Sequence, residues 1–180
     1  MQQALLFLIN AFCVFFSTLF LLRLLMQWRK VPFSSLAGGF VLKLTNWAVL
    51  PMRRVIPGIG GVDWASLIAA FIPHALYALA FLYLSGLGSV FSAQADVVLA
   101  KLAVFALQSL VHNLIYLFIV LLFVQVILSW VNPHSPLAYP VAKLTHPLLS
   151  PVRRLIPPIS GIDLSPLIVI LILQAMLFLL

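Results

Sequence analysis

Residues 43–63 read KLTNWAVLPMRRVIPGIGGVD, and residues 143–163 read KLTHPLLSPVRRLIPPISGID. The two stretches align without a gap at an offset of 100, and thirteen of the twenty-six residues from position 43 to 68 recur unchanged. Several of the repeated residues are proline, arginine, glycine and aspartate, so a shared apolar composition does not explain the match. The sequence therefore predicts a tandem duplication.

Long apolar runs lie on both sides of each repeated stretch, at about 4–25, 64–85, 107–131 and 162–180. Each run approaches the roughly 20 residues that a helix needs to cross a bilayer. The whole chain has 180 residues, of which 64% are hydrophobic and 7% charged, whereas about a quarter of a soluble domain is charged. We predict an all-α membrane protein with four transmembrane helices, built as two tandem, parallel two-helix repeats.

The predicted organisation has three parts. Residues 1–86 form the first repeat, residues 87–106 an outer loop or interfacial helix, and residues 107–180 the second repeat. Residues 89–106 also fit the start of a long third helix, and a fifth crossing is the remaining alternative. A fifth crossing would place the two arginine-rich loops on opposite sides of the membrane.

The basic residues are distributed unevenly among the connections between the apolar runs. Eight lie after the first and third runs, whereas only Lys101 lies after the second. Because cytoplasmic loops are enriched in Lys and Arg, we predict that the basic loops are cytoplasmic and that both termini face outward. Membrane orientation then accounts for the net charge of +7, and we do not expect a nucleic-acid partner. The eight residues are Arg29, Lys30, Lys43, Arg53, Arg54, Lys143, Arg153 and Arg154.

The repeated loops contain proline, arginine and aspartate at fixed spacing. Pro51 and Pro151 suit the first turn of a short interfacial helix, with Ser150 as an N-cap in the second loop. Asp63 and Asp163 stand at the head of an apolar run, so we predict helix caps, with ion pairs to an arginine of the same loop as a further role. The arginine pairs Arg53, Arg54 and Arg153, Arg154 fit lipid headgroup or partner contacts, because guanidinium groups match phosphate geometry.

Polar residues recur inside the apolar runs. At an offset of 102, Asn10 pairs with His112 and Arg23 with Gln125, and at an offset of 100, His74 pairs with Gln174. Intramembrane polar residues mark interhelical hydrogen bonds or transport pathways. Because Gln174 cannot exchange protons, interhelical hydrogen bonding is the simpler interpretation of the His74 position.

The sequence lacks the residue patterns that are typical of catalytic sites. It has three Asp, no Glu and a single cysteine, Cys13, so paired carboxylates within the hydrocarbon, a disulfide and a cysteine zinc site are not expected. No His-Glu-x-x-His, Gly-x-Ser-x-Gly or P-loop pattern occurs. We predict a non-catalytic protein without a cofactor or metal. The first apolar run is expected to remain as a helix rather than to be cleaved.

Together, the motifs resemble the YggT family of small bacterial membrane proteins over essentially the whole chain. The resemblance rests on Arg23-x4-Trp28, on Pro-x-Arg-Arg-x-Ile-Pro in both copies and on Asp163-x-Ser-Pro. It implies a multi-pass protein of the bacterial inner membrane, with relatives linked to osmotic stress, the division region and assembly of cytochrome complexes. It supplies no catalytic residues.

Two functions remain open on this basis. The first is a scaffold or assembly factor for membrane complexes, with anionic lipids, other membrane proteins or a second copy as partners. The alternative is a small channel or transport component in osmotic adaptation, which would use the intramembrane polar residues.

Overall fold

All helices and strands assigned in the described part of the chain are α-helices. A computed structural model describes residues 1–58, 60–86, 95–155 and 163–180, apart from the side chain of Leu36. These residues form six helices and no strand. The helices are α1 (Gln2–Trp28), α2 (Leu36–Val55), α3 (Trp64–Leu84), α4 (Ala95–Val131), α5 (Ala138–Leu155) and α6 (Ser165–Leu179).

Three of these helices, α1, α3 and α4, are long and apolar enough to cross a membrane. The fourth predicted crossing corresponds to α6, which has 15 described residues and is apolar but shorter. Residues 156–162, which include the predicted start of that crossing, lie outside the described residues. The structure therefore supports an apolar-helix membrane protein, whereas the number of crossings stays a prediction.

The segment before the third apolar run belongs to a single long helix. Residues 95–106 are continuous with 107–131 in α4, which has 37 residues. Of the alternatives for residues 89–106, the described part therefore shows an extension of the third helix. Neither a separate interfacial helix nor an independent fifth crossing is formed by residues 95–106.

The helices that carry the arginine pairs are longer than predicted, and the expected start of each was wrong. Pro51 lies near the end of α2, and Pro151 and Ser150 lie inside α5. The helix α2 begins instead after Ser35, whose hydroxyl accepts a hydrogen bond from Gly38 N at 3.1 Å. The N-cap upstream and the packing of the helix outweigh the local preference of proline for a first turn.

Each of these two helices buries one stripe of residues spaced four apart. The stripe is Val41, Thr45 and Val49 in α2, and Val141, Thr145 and Leu149 in α5. This spacing is typical of an amphipathic helix that packs along one face. It is the signal in the sequence that identifies the full helices.

We define two halves of the chain, α1–α3 and α4–α6, and the long helix α4 packs against helices of both. One set of its residues joins a core formed mainly with α1, α2 and α3, which also includes Val141 and Leu144 of α5, and another set joins a core formed with α5 and α6. By contrast, α6 packs mainly on α4 and α5. The first set is Leu110, Leu117 and Leu121, and the second is Ile115, Ile119 and Leu122.

Two adjacent glycines at the start of α2 give a test of this packing. A Cβ on Gly38 would lie 2.6 Å from the Cα of Phe33, whereas a Cβ on Gly39 meets nothing within 4 Å. We expect Gly38→Ala to lower the free energy of unfolding by about 1–3 kcal/mol through overpacking. Gly39→Ala should stabilise by up to about 1 kcal/mol through helix propensity. Thermal unfolding in detergent measures both, and equal effects would contradict the described entry into α2.

Candidate functional site

An arginine and an aspartate close the turn between α2 and α3. Arg53 Nε donates to Asp63 Oδ1 at 3.3 Å, and Arg53 Nη2 lies 2.5 Å from Asp63 Oδ2. The Asp63 carboxylate is 2% exposed and also accepts from the backbone N–H of Ser66 at 3.4 Å and from its hydroxyl. Arg53 further donates to the Gln27 side chain. Asp63 is therefore both the N-cap of α3 and the partner of Arg53.

The charge state of Asp63 follows from these contacts. Burial raises the pKa of Asp63, but the hydrogen bonds from Arg53 and Ser66 outweigh burial and hold the pKa below its ordinary value. The carboxylate is thus ionised at neutral pH and paired with a guanidinium.

A second arginine and aspartate make a similar contact between α5 and α6, although the N-cap of α6 is Leu164 and not Asp163 as predicted. Arg153 Nε and Nη2 donate to Asp163 Oδ2 at 2.8 and 2.7 Å, and Ser165 N donates to Asp163 Oδ1 at 3.0 Å. The side chains are 41% and 33% exposed. Burial raises the pKa of Asp163, and the hydrogen bonds from Ser165 and Arg153 lower it below its ordinary value. We call the pairs Arg53–Asp63 and Arg153–Asp163 the two clasps.

The other arginine of each pair does not take part in a clasp. Arg54 and Arg154 are exposed and make no hydrogen bond or ion pair with the described residues. The sequence motif gave no means of separating the first arginine from the second. Because successive residues on a helix face different directions, only one of the two can point back toward the aspartate.

The buried arginine Arg23 lies beside the first clasp. It is 2% exposed, and its Nη1 donates to Thr45 Oγ1 at 2.8 Å and to Asn46 Oδ1 at 2.9 Å. In the second half, Gln125 accepts a hydrogen bond from Thr145. The side chains at positions 23 and 125 therefore each form a hydrogen bond with a threonine, Thr45 in the first half and the equivalent Thr145 in the second.

Three of the predicted intramembrane polar residues meet in one cavity between α1, α3 and α4. Asn10, His74 and His112 line this cavity of about 330 Å³, which we call the polar cavity. His74 is 2% exposed, and its Nε2 has no hydrogen-bond partner among the described residues. Gln174, the repeat partner of His74, is exposed on α6 and does not line it.

Further polar contacts inside the helices were missed by the sequence analysis. Asn113 lines the polar cavity, accepts from Thr18 Oγ1 at 3.0 Å, and leaves its Nδ2 without a described partner. Ser17 donates to the backbone oxygen of Ala70 at 2.8 Å. Asn113 directly follows His112, so the adjacent polar pair was the available signal. Unpaired polar atoms in such a cavity provide hydrogen-bonding capacity for water or a polar ligand.

The two halves also meet near the clasps. Arg29 Nε donates to the backbone oxygen of Lys143 at 3.3 Å, and Lys143 Nζ donates to the backbone oxygen of Lys30 at 2.8 Å. These bonds place the segment after α1 against α5.

Comparison with known proteins identifies the family. The sequence profile of the CCB3/YggT family matches residues 2–84 and 104–180. The chain belongs to the CCB3/YggT family. No solved structure matches the chain.

The relatives from bacteria match over most of their length. The uncharacterized protein YggT of Escherichia coli K12 is 36% identical over 173 residues, which cover 96% of this chain and 86% of that protein. An uncharacterized protein from the proC 3′ region of Vibrio alginolyticus is 33% identical, covering 92% of this chain and 90% of its own. A further uncharacterized protein from Pseudomonas aeruginosa is 31% identical over 156 residues, which cover 86% of this chain and 76% of that protein. The names of these relatives assign no activity.

Because only one arginine of each pair takes part in a clasp, we expect substitutions of the two neighbouring arginines to change the free energy of unfolding by different amounts. Arg53→Gln removes the charge that faces the buried Asp63, so we expect the free energy of unfolding to fall by about 1–3 kcal/mol. Arg54→Gln is the matched control and should change it by less than about 0.5 kcal/mol. Arg153→Gln breaks a more exposed pair, worth up to about 1 kcal/mol. Thermal unfolding in detergent ranks the three, and an equal loss for Arg53→Gln and Arg54→Gln would contradict the first clasp.

Proposed function

We propose that this protein is a non-catalytic scaffold or assembly factor for membrane complexes of the bacterial cell envelope. In this proposal it is a multi-pass inner-membrane protein with four crossings in two parallel repeats. The excess of Lys and Arg in the connections after the first and third apolar runs supports cytoplasmic basic loops and outward termini. The contact of Arg29 with Lys143 is consistent with both loops lying in one compartment.

The proposal is supported chiefly by the different contacts of the two arginines in each pair. Arg53 and Arg153 hold the basic helices to the heads of α3 and α6 through the clasps. Arg54 and Arg154 stay exposed on helices that the clasps fix in place. A guanidinium held in position at a membrane interface can bind the phosphate of an anionic lipid or a carboxylate of a neighbouring protein.

Contacts with partners should therefore concentrate around these two free arginines. Anionic lipids and acidic residues of other membrane proteins offer the complementary groups, whereas two of the three aspartates of this chain are already in the clasps. Val55 and Leu155 directly follow the free arginines and are 80% and 81% exposed. Both positions are therefore suitable for probes that leave the arginines intact.

Photo-crosslinking in growing cells tests the scaffold function. A photoreactive residue at position 55 or 155 should give discrete protein adducts, which Arg54→Gln combined with Arg154→Gln reduces several-fold. A probe at Tyr83, which is 81% exposed at the C-terminal end of α3, serves as the control and should be unaffected by those substitutions. Adducts with lipid alone at positions 55 and 155, under every growth condition, would contradict a scaffold.

The polar cavity supports a second candidate, a small channel or transport component in osmotic adaptation. It gathers Asn10, His74 and His112, and two of its buried nitrogens, His74 Nε2 and Asn113 Nδ2, have no partner in the described structure. Polar groups without partners are costly in an apolar surrounding, and hydrated or ligand-binding pathways are where they persist.

Ion flux from reconstituted liposomes tests this second candidate. We expect the combined change of His74→Leu and Asn113→Leu to reduce flux at least ten-fold, because both free nitrogens are lost from the cavity. Gln174→Leu is the control, since Gln174 is exposed on α6 and should leave flux unchanged. Liposomes that show no flux with the unmodified protein would exclude the transport function.

A further inference from the structure

The surroundings of the two clasps differ at three equivalent positions. Arg23 and Gln27 correspond to Gln125 and Ser129 at an offset of 102, and Ser66 corresponds to Pro166 at an offset of 100. Each of these changes from the first half to the second removes side-chain length, charge or a hydroxyl donor, whereas the change from Ala65 to Ser165 adds a hydroxyl. Among the described residues, the side chains at positions 125 and 129 are therefore shorter than those at positions 23 and 27.

In the first half, the side chains at these positions enclose the clasp. The Arg23 guanidinium is buried and lies within electrostatic range of both Arg53 and Asp63. Gln27 accepts from Arg53, and the Ser66 hydroxyl donates to Asp63. The Asp63 carboxylate thus has a second guanidinium nearby and four hydrogen bonds from Arg53 and Ser66.

In the second half, the corresponding region contains a cavity of about 200 Å³. Gln125, Ser129, Arg153 and Asp163 supply its polar groups, and Trp130 is also part of its wall. Position 166 is proline, so the hydroxyl with which Ser66 donates to Asp63 is absent at that position, whereas Ser165 lies beside Asp163 and lowers its pKa. We call this region the clasp cavity.

The clasp cavity suits a cationic N–H donor that brings its own anionic group. Arg153 and Asp163 already neutralise one another, so the lining has no unpaired charge of either sign. The first half has an additional cation, the Arg23 guanidinium, beside the same ion pair. The carboxylate of Asp163, the amide oxygen of Gln125 and the hydroxyl of Ser129 can all accept hydrogen bonds from N–H donors.

The position of the cavity indicates where such a cation comes from. Trp130 is 75% exposed and lies next to the last residue of the apolar helix α4, and tryptophans at the ends of spanning helices mark the headgroup depth of a bilayer. A ligand that enters beside Trp130 therefore comes from the level of the lipid headgroups.

We propose that the clasp cavity binds the primary ammonium of an ethanolamine lipid headgroup, at the place equivalent to that of the Arg23 guanidinium beside the first clasp. The ammonium donates to Asp163, Gln125 and Ser129. Arg153 uses Nε and Nη2 for Asp163, so its Nη1 is available for the lipid phosphate. The zwitterionic headgroup thus matches a neutral ion pair. This binding requires only a bilayer around the protein and is independent of the scaffold function.

Thermal unfolding of the detergent-solubilised protein with added lipid tests the proposal. Phosphatidylethanolamine and phosphatidylcholine with identical acyl chains differ only at the headgroup nitrogen. The ammonium of phosphatidylethanolamine has three N–H donors, whereas phosphatidylcholine has three N-methyl groups and no N–H donor. We expect phosphatidylethanolamine at saturating concentration to raise the midpoint by roughly 5 °C more than phosphatidylcholine. An equal shift with both lipids, or a shift with phosphatidylglycerol alone, would overturn the proposal. If free ethanolamine at the same concentration gave the same shift, the bound ammonium would not have to come from a lipid, and the proposal of a lipid ligand would be overturned.

The first half of the chain supplies the matched variant. Gln125→Arg with Ser129→Gln recreates the side chains at positions 23 and 27, so the guanidinium takes the place of the ammonium and the preference for phosphatidylethanolamine should disappear. Ser129→Gln alone is the smaller change, which keeps the test decisive if the double variant does not fold, and it should reduce the preference. Lys101→Gln, remote from the clasp cavity, is the control and should retain it. Retention of the full preference by a folded variant with Arg at 125 or Gln at 129 would overturn the proposal.

Discussion

The clasp between an arginine on an amphipathic helix and an aspartate at the head of the next apolar helix organises both halves of this protein. Within the first half, Asp63 caps α3, accepts from Arg53 and is almost completely buried. Arg53 is 35% exposed, so burial removes mainly the carboxylate from water, and the hydrogen bonds from Arg53 and Ser66 offset that cost. The clasp joins the last turn of α2 to the head of α3, so the residues on either side of the intervening turn are held together.

The apolar composition makes the remaining polar residues informative. In a chain with so few charged residues, a buried Arg23 or His74 must be stabilised by specific partners, since lipid offers none. Arg23 has Thr45 and Asn46 as partners. The Nε of Arg23, the Nε2 of His74 and the Nδ2 of Asn113 have no partner among the described residues, and the last two belong to residues that line the polar cavity.

Much of this arrangement could be predicted from the sequence, because aligning the two repeated stretches identifies equivalent positions. The offset of 100 identified Arg53, Asp63, Arg153 and Asp163 as equivalent positions. The offset could not show which arginine of each pair faces the aspartate, since that depends on the rotation of α2 and α5 about their axes. The prolines at 51 and 151 misled the analysis about where those helices begin, because tertiary packing of the buried stripe overrides a local preference. Likewise, pairing His74 with Gln174 suggested equal environments, whereas α3 lies between α1 and α4 and α6 lies at the edge.

The length of α4 has a mechanical consequence. Its 37 residues extend over about 55 Å, which exceeds the roughly 40–45 Å of a bilayer with its headgroups. A helix this long must tilt or protrude, and the balance between the two shifts with the thickness of the surrounding lipid. Because α4 packs against helices of both halves, a change in its tilt would be transmitted to both. A change in bilayer thickness, including thinning under lateral tension, would then alter the packing of both halves at the same time.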